Sequence, residues 1–460
     1  MERLSSLDAV FLAVEDPVNQ MNIGTVAIFD GPAPGFDAVR DSLAARIVTV
    51  SRCRQRVREP SGVIGRPVWI DDVHFDLDRH VHAMSLDGDD ADALDNLVPR
   101  LVAPMLDRRH ALWELWVVDG LAGNRWAIIA KVHHCMVDGI AGSDLLSAIL
   151  DRGRVPSSRV TDQWVPSPEP SAAALAQFNV ASALHTFGRH LRDATGAVGH
   201  PRRSWRRLTD TVRAAKRLWW RQHPIPSSLT GPIGTQRRWT RTVVAFDDIT
   251  AVKTAFGGTV NDVVLAAVTG GFRDLLIHRG EPVDQRTITA MVPVSVRTPD
   301  EHGQFGNRVA NVHALLPVGL SDPRSRLQRI HEHLADLKAS HEIDATGLLL
   351  SIGDYSPRMI AGRVARAILH RQRNVESVIT NVPGPGAPLY LAGRPMLHCF
   401  PVAPIGGRVR ITVALWSYCE HLYIGITGDQ DTTDDIEHLR RGIEQGFADL
   451  AAAAHEQHER

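Results

Sequence analysis

Two adjacent histidines and a nearby aspartate are the residues of this sequence whose spacing best suits acid–base chemistry. His133 and His134 stand side by side, and Asp138 and Gly139 follow in the same polar stretch. A free imidazole has a pKa of about 6.5, so its neutral form is available to take up a proton at cellular pH. One histidine is therefore predicted to act as a general base that the other polar residues hold in place.

Metal binding and nucleophilic catalysis are the two alternatives for this stretch. Adjacent side chains on an extended chain point in different directions, and the sequence has neither an HExxH pattern nor a matching third ligand cluster. Cys135 lies beside the pair, but no serine or cysteine occupies a nucleophile elbow, and an ordinary buried thiol is the simpler interpretation. We therefore expect no metal site and no covalent nucleophile.

The histidines lie where a predicted strand passes into a predicted helix. Residues 126–130 form a short apolar run after Gly123 and Asn124, which is typical of a buried strand. From Ile140 onward, apolar residues recur at helical spacing, which predicts a helix packed by one face. Junctions of this kind often carry the chemistry of α/β proteins.

The length and composition predict a globular protein of more than one domain. The chain has 460 residues, of which 44% are hydrophobic and 22% are charged. Strands and helices alternate through residue 151 and resume after residue 241, which predicts mixed α/β layers. We predict an N-terminal domain over residues 1–155, a proline-rich and basic crossover or linker over 156–235, and a C-terminal domain over 236–460.

Charge, cysteine usage and hydropathy favour a cytoplasmic location without nucleic-acid binding. The formal net charge is −1, and the four cysteines show no CxxC spacing, as expected in a reducing compartment. The N-terminus carries acidic residues where a secretory leader would be basic. No run approaches the roughly 18 apolar residues that a spanning helix needs. Any contact with lipid is therefore expected from the surface.

A basic segment over residues 202–221 has two interpretations. Its arginines and lysine surround Leu208, Val212, Ala215 and Trp219, which recur at helical spacing. Such an amphipathic helix can lie in the interface of an anionic membrane, which predicts peripheral binding at the inner face of the plasma membrane or at lipid droplets. The alternative is a solvated helix docked on the protein's own surface. Both interpretations stay open.

A set of motifs in a fixed order resembles the bacterial wax ester synthase/diacylglycerol acyltransferase family. The stretch HHCMVDG at residues 133–139 matches the HHxxxDG signature of the CoA-dependent acyltransferase superfamily. The flanking motifs cover nearly the full length of the chain. They are LSSLDAVFL (4–12), LWELW (112–116), LTGPIG (229–234), ND (261–262), PVSVR (293–297) with GN (306–307), and TNVPGP (380–385).

The resemblance implies both a fold and a reaction. It implies α/β architecture with two chloramphenicol-acetyltransferase-like domains and a tunnel between them, which acyl-CoA enters from one side and an alcohol acceptor from the other. It implies that His134 takes the proton of the acceptor hydroxyl during direct transfer to a thioester carbonyl. No cofactor is expected, because acyl-CoA is a substrate. Diacylglycerol or a fatty alcohol is the expected acceptor.

The resemblance also gives roles to the neighbours of His134. The aspartate that matches Asp138 turns away and pairs with an arginine in the superfamily, and Arg297 is our candidate for that partner. Asp138 is thus predicted to brace the loop, since a buried carboxylate requires a partner. Gly139 is predicted to permit a backbone shape or close approach that a side chain would block. His133 is predicted to support the neighbouring imidazole or the backbone.

Asn261 and Asp262 correspond to the Asn-Asp motif of the family. Helix capping alone would explain the pair, which precedes an apolar helical stretch over residues 263–277. The alternative is that Asn261 lies near the tunnel and holds substrate or the polarised carbonyl, with Asp262 structural. The donors that stabilise the oxyanion are left unassigned.

The sequence departs from the family pattern at two places outside the signature. Residues 20–22 read Gln-Met-Asn where the family shows Pro-Met-His, and residues 111–113 read Ala-Leu-Trp where it shows Pro-Leu-Trp. These departures put chain-length preference and the level of activity in doubt rather than the reaction class.

Four functions are consistent with these features. The leading hypothesis is long-chain acyl transfer from acyl-CoA to diacylglycerol, giving triacylglycerol. Wax ester synthesis from a fatty alcohol is the nearest alternative, since both acceptors offer a hydroxyl on an apolar body. A condensation-type enzyme fed by a carrier protein, and a weakly active relative that binds acyl lipids, are the others. The oligomeric state is left open.

Overall fold

The protein is built of mixed α/β layers. The computed structural model describes residues 1–60, 65–86, 92–136, 146–155, 162–182, 227–295, 309–339, 366–367, 372 and 374–458. The strands are Glu2–Arg3 (β1), Asn22–Phe29 (β2), Gln55–Arg58 (β3), Val68–Asp71 (β4), Val81–Ser85 (β5), Trp113–Leu121 (β6), Arg125–His133 (β7), Arg237–Ala245 (β8), Ile288–Ser295 (β9), Val309–Leu316 (β10), Ser377–Val382 (β11), Tyr390–Leu391 (β12), Arg394–Val402 (β13), Ile411–Tyr418 (β14) and His421–Asp429 (β15). The α-helices whose two ends both lie within the described residues include Ser6–Val14 (α1), Phe36–Ile47 (α2), Ala93–Val102 (α3), Phe246–Phe256 (α4), Val260–His278 (α5), Pro323–Ala339 (α6) and Ile436–His458 (α7).

An N-terminal sheet carries the histidine pair, His133 and His134, at one end of a central strand. Within the described residues its strand order is β12-β13-β2-β7-β6-β5, and β7 pairs antiparallel with both β2 and β6. Apolar side chains of β2 and β7 are buried together, and the rings of Phe29 and Trp126 stack at 4.5 Å. This packing fixes β7 against its neighbours and so fixes the position of the histidines at its end.

A C-terminal sheet forms the second layer system. Its described strands follow the order β10-β9-β11-β14-β15-β8, with β11 parallel to both β9 and β14. Helix α5 buries most of its length against this half of the molecule, which explains its nearly continuous apolar sequence. The two sheets with their helices form the two domains that the resemblance implies.

The two domains approach closely at β13 and β15. The indole N–H of Trp239 in β8 donates to the Pro401 carbonyl of β13, at 3.3 Å. A Cβ built on Gly425 of β15 would overlap that same carbonyl oxygen, so glycine is needed where the strands approach. Arg241 of β8 also pairs with Asp95 of α3 at 2.7 Å. These contacts hold the two halves against each other.

Two strands from the predicted C-terminal domain belong to the N-terminal sheet. Strands β12 and β13 belong to the predicted C-terminal domain, yet they complete the N-terminal sheet, with β13 antiparallel to β2. The domain bounds 1–155, 156–235 and 236–460 stay a prediction. The structure adds that β12 and β13, from the third of these ranges, join the sheet of the first. Local sequence patterns do not encode which sheet a strand joins, because pairing depends on contacts far along the chain.

Candidate active site

The histidine pair lies at the C-terminal end of β7. The strand runs to His133, three residues beyond the apolar run that predicts it, because the buried Lys131 and His133 find carboxylate partners there. Lys131 is 2% exposed and lies 3.0 Å from a carboxylate oxygen of Glu114. Burial lowers the pKa of Lys131, and the neighbouring Glu114 carboxylate opposes this shift. The ladder therefore continues through polar residues that the hydropathy pattern places outside the strand.

His133 is fully buried and its ring contacts both the backbone and an acidic side chain. Its Nδ1 accepts the backbone N–H of Cys135 at 3.0 Å, and its Nε2 lies 3.4 Å from Oε1 of Glu15. An imidazole nitrogen that accepts a hydrogen bond carries no proton, so Nε2 is the ring nitrogen that carries one, and it faces Glu15. His133 thereby supports the turn that follows β7.

Glu15 is a site residue that the sequence does not reveal. It caps the C-terminal end of α1, its side chain is buried, and its Oε2 accepts from Arg108 at 2.8 Å. Burial raises the pKa of Glu15. The lowering by His133 and then by Arg108 is together larger, so the pKa lies below the usual 4.5. The signal in the sequence is weak, since a carboxylate after an apolar helical turn is common on protein surfaces.

His134 is held by two elements and is half-buried. Its backbone N–H donates to the Met21 carbonyl at 2.7 Å, just before β2. Its ring stacks on Phe11 of α1, with centroids 4.1 Å apart and an interplanar angle of 26°. Helix α1 and the start of strand β2 thus both contact His134, the residue that the resemblance implies to be the base. A half-buried ring combines restricted orientation with access for a substrate.

Cys135 follows the pair but is buried. It is 3% exposed, and burial raises the pKa of its thiol well above the usual value. The thiolate is the nucleophilic form of cysteine, so this environment disfavours nucleophilic attack by Cys135.

Several predicted site residues lie outside the described residues. Asp138, Gly139 and Arg297 are among them, so the Asp138–Arg297 pairing stays a prediction. The basic segment over residues 202–221 also lies there.

Asp262 lies at the beginning of α5 in a capping box. Its Oδ2 accepts the backbone N–H of Thr259 at 2.8 Å, and its own N–H donates to Thr259 Oγ1 at 3.3 Å. His331 of α6 contacts the same Oδ2 at 2.8 Å. This geometry corresponds to the capping interpretation for Asp262. Asn261 is half-buried in the same helical turn, and its predicted contact with substrate stays a prediction.

A narrow cavity of about 20 Å³, room for roughly one water molecule, lies where the two domains meet. We call it the interdomain cavity. Its polar lining residues are Gln20, Asn22, Arg237 and Thr427, and its apolar wall includes Val102 and Trp239. Asn22, one of its lining residues, lies directly opposite His133 in the β2–β7 register. Burial lowers the pKa of Arg237 to about 10 despite the neighbouring Asp429. The Arg237 guanidinium donates to the carbonyls of Val18, Gly234 and Gln236.

The described residues show neither a metal-binding cluster nor a membrane-spanning helix. No group of three or more His, Cys, Asp or Glu residues is arranged there to hold a metal ion. Among the helices of the same residues, none combines the length and the apolar character required to cross a bilayer.

Comparisons with known sequences agree with the geometry. The family model "wax ester synthase/diacylglycerol acyltransferase catalytic domain" matches residues 4–264, and the model of the C-terminal domain of the same family matches residues 305–451. A probable diacylglycerol O-acyltransferase of Mycobacterium tuberculosis is 36% identical over 456 residues, which cover 98% of this chain and 96% of the relative.

Solved structures share the fold. The wax ester synthase/diacylglycerol acyltransferase from Marinobacter aquaeolei VT8 aligns with a TM-score of 0.69 at 23% identity, over 98% of this chain and 99% of that one. The trichothecene 15-O-acetyltransferase from Fusarium sporotrichioides aligns with a TM-score of 0.64 at 10% identity, over 98% of this chain and 95% of that one. At these identities the likeness concerns the fold alone.

Proposed function

Because the chain belongs to the wax ester synthase/diacylglycerol acyltransferase family, we propose that it transfers a long-chain acyl group from acyl-CoA to diacylglycerol. The product is triacylglycerol. The observation that carries this proposal is His134, stacked on Phe11 and anchored to Met21 at the end of β7, with the buried His133–Glu15 contact behind it. The name of the mycobacterial relative supports diacylglycerol as the acceptor.

The proposed mechanism assigns proton transfer to His134. The acceptor hydroxyl attacks the thioester carbonyl while the imidazole takes its proton, and a tetrahedral intermediate forms. Collapse of the intermediate breaks the C–S bond, and the proton passes from the imidazolium to the departing CoA thiolate. General-base catalysis of this kind contributes about 10²- to 10⁴-fold in rate. No cofactor enters the reaction as proposed.

Direct transfer without an acyl-enzyme is part of the proposal. A covalent route needs an ionisable nucleophile beside the base. The thiol that follows His134 belongs to Cys135, which is buried and whose pKa is raised by that burial. The protonated thiol is a poor nucleophile, which favours attack by the acceptor itself.

The proposed function is tested by the choice of acceptor. Purified protein is incubated with labelled palmitoyl-CoA and dipalmitoylglycerol, with hexadecanol, or with no acceptor. We expect labelled triacylglycerol as the main product. Faster acylation of hexadecanol would favour the wax ester alternative, and hydrolysis alone would favour a weakly active lipid-binding relative. Turnover with a carrier-protein thioester but not with palmitoyl-CoA would favour the condensation-type enzyme.

A further inference from the structure

Asn22 brings a buried hydrogen-bond acceptor into the interdomain cavity. Its side-chain Nδ2 donates to the carbonyls of Val102 and Pro104, at 3.0 and 2.9 Å. These two bonds use both amide hydrogens and fix the orientation of the amide group. The whole residue is only 2% exposed and its Oδ1 atom is buried. No hydrogen-bond donor reaches Oδ1 within the described part of the chain.

Thr427 brings a second polar atom into the same cavity. It lies in β15 of the C-terminal sheet and is 3% exposed. Its buried Oγ1 has no hydrogen-bond partner in the described structure. The two atoms come from different domains and line one space, so a group bound between them would contact both domains.

The chemistry of the two atoms selects their ligand. Asn22 Oδ1 can only accept a hydrogen bond, whereas Thr427 Oγ1 can donate and accept. A neutral hydroxyl satisfies both, because it donates to Asn22 and accepts from Thr427. An ester carbonyl satisfies Thr427 alone, and an alkyl chain satisfies neither. Buried polar atoms left without partners cost free energy, so the cavity favours a hydroxyl.

The position of the cavity connects it with acyl transfer. Asn22 faces His133 in the β2–β7 register, and the residue before it, Met21, accepts the backbone hydrogen bond of His134. The cavity beside Asn22 has room for a group about the size of a water molecule, so it suits a hydroxyl while the carbon chain of an acceptor lies outside it. An acceptor whose reacting hydroxyl lies at His134 can thus extend a neighbouring polar group towards Asn22.

We propose that Asn22 and Thr427 bind a second hydroxyl of the acyl acceptor. The inference rests on the proposed acyl transfer and extends its substrates to single-chain acceptors with two hydroxyls, such as 1-monoacylglycerol or a 1,2-alkanediol. The reacting hydroxyl forms the new ester as the thioester C–S bond breaks, and its proton ends on the CoA sulfur. The second hydroxyl is unchanged and serves to orient the acceptor. Asn22 stands where the family motif has histidine, so this preference belongs to the present chain.

The test compares two ligands that differ by one hydroxyl. Binding of decane-1,2-diol and decan-1-ol is measured by calorimetry, and kcat/KM is measured for both with palmitoyl-CoA. We expect the wild type to favour the diol in both measurements. Thr427→Val keeps the side-chain shape and removes the hydroxyl, and it should reduce the diol preference about 3- to 10-fold, the effect of one neutral hydrogen bond. Thr427→Ser keeps the hydroxyl and should restore the preference.

A matched control separates this effect from general destabilisation. Thr269→Val replaces another buried threonine, in α5, whose hydroxyl donates to the Leu265 carbonyl within the helix. It should leave the diol preference at the wild-type value. Equal binding of diol and alcohol by the wild type, or an equal preference in Thr427→Val, would overturn the inference. A retained binding preference without acyl transfer would count against the proposed function and support the hydroxyl site.

Discussion

Glu15 and His133 form a buried contact whose two partners come from distant parts of the chain. Both side chains are fully buried, and Arg108 holds the other carboxylate oxygen of Glu15 at 2.8 Å. Residue types and spacing predict that one histidine of the pair is a base, and the family resemblance implies that it is His134, because the signature lies within seven consecutive residues. They do not reveal Glu15, because its partnership exists only after α1 has packed against the end of β7.

Neutralising Glu15 should weaken both folding and turnover. Glu15→Gln removes one of two carboxylates near Arg108, whose side chain is 32% exposed and keeps Glu59 at 3.6 Å, so folding should weaken by about 1–3 kcal/mol. The turn that carries His134 also loses its support, so kcat should fall by up to about 100-fold. Urea unfolding and steady-state kinetics measure the two effects. Glu2→Gln, at a carboxylate that is 66% exposed, is the control, and equal behaviour of the two variants would contradict this role.

The same carboxylate predicts a pH dependence of stability. The pKa of Glu15 is lowered in the folded protein relative to 4.5 in the unfolded chain. A group with a depressed folded pKa stabilises the fold fully above its unfolded pKa, and the contribution is lost as pH falls through the folded value. The stability difference between wild type and Glu15→Gln should therefore be constant near neutral pH and shrink below about pH 4.5. A difference that grows on acidification would refute the assignment.

The elements around the site differ in how far the sequence predicts them. Helix α5 begins after the Thr259 cap and contains the apolar helical stretch that the sequence predicts over residues 263–277. Strand β7 extends past its apolar run to His133, because Lys131 and His133 face inward and find carboxylate partners in Glu114 and Glu15. Hydrophobic periodicity reflects only whether each side chain is polar or apolar. It does not predict which polar side chains will be buried against partners from other elements.

The close approach of β13 and β15 predicts a strict requirement for glycine at residue 425. A Cβ on this residue would overlap the Pro401 carbonyl, which is backbone and cannot rotate away. Gly425→Ala should therefore cost about 1–3 kcal/mol through overpacking. Gly153→Ala is the control, since a Cβ there meets no atom within 4 Å. Thermal unfolding measures both, and equal melting temperatures would show that the strands can separate without cost.

At the scale of the whole molecule, the resemblance predicts two domains. It does not predict that β12 and β13 of the C-terminal half complete the N-terminal sheet. Strand β13 lies in the second half of the chain and pairs with β2 of the first half. Residues of both domains line the interdomain cavity, among them Val402 of β13, Thr427 of β15 and Asn22 of β2. A sequence read locally cannot place residues 20–22 beside residue 427, because that contact depends on how the domains dock.

The basic segment over residues 202–221 predicts association with anionic lipid. The whole chain has a formal net charge of −1, so attraction to a negative surface must come from a local cluster. Replacing Arg213, Lys216 and Arg217 with serine should reduce flotation with vesicles that contain phosphatidylserine, and raised salt should do the same for the wild type. Phosphatidylcholine vesicles are the control. Unchanged flotation of the triple variant would favour a helix docked on its own protein.

The central claim is that His134 takes the proton of the acceptor hydroxyl. The most direct measurement is kcat for transfer from palmitoyl-CoA to dipalmitoylglycerol by His134→Ala, beside His74→Ala, which alters an exposed histidine. The account predicts a loss of about 10²- to 10⁴-fold for His134→Ala and wild-type turnover for His74→Ala, with both variants folded. Turnover by folded His134→Ala within a few-fold of the wild type would contradict it.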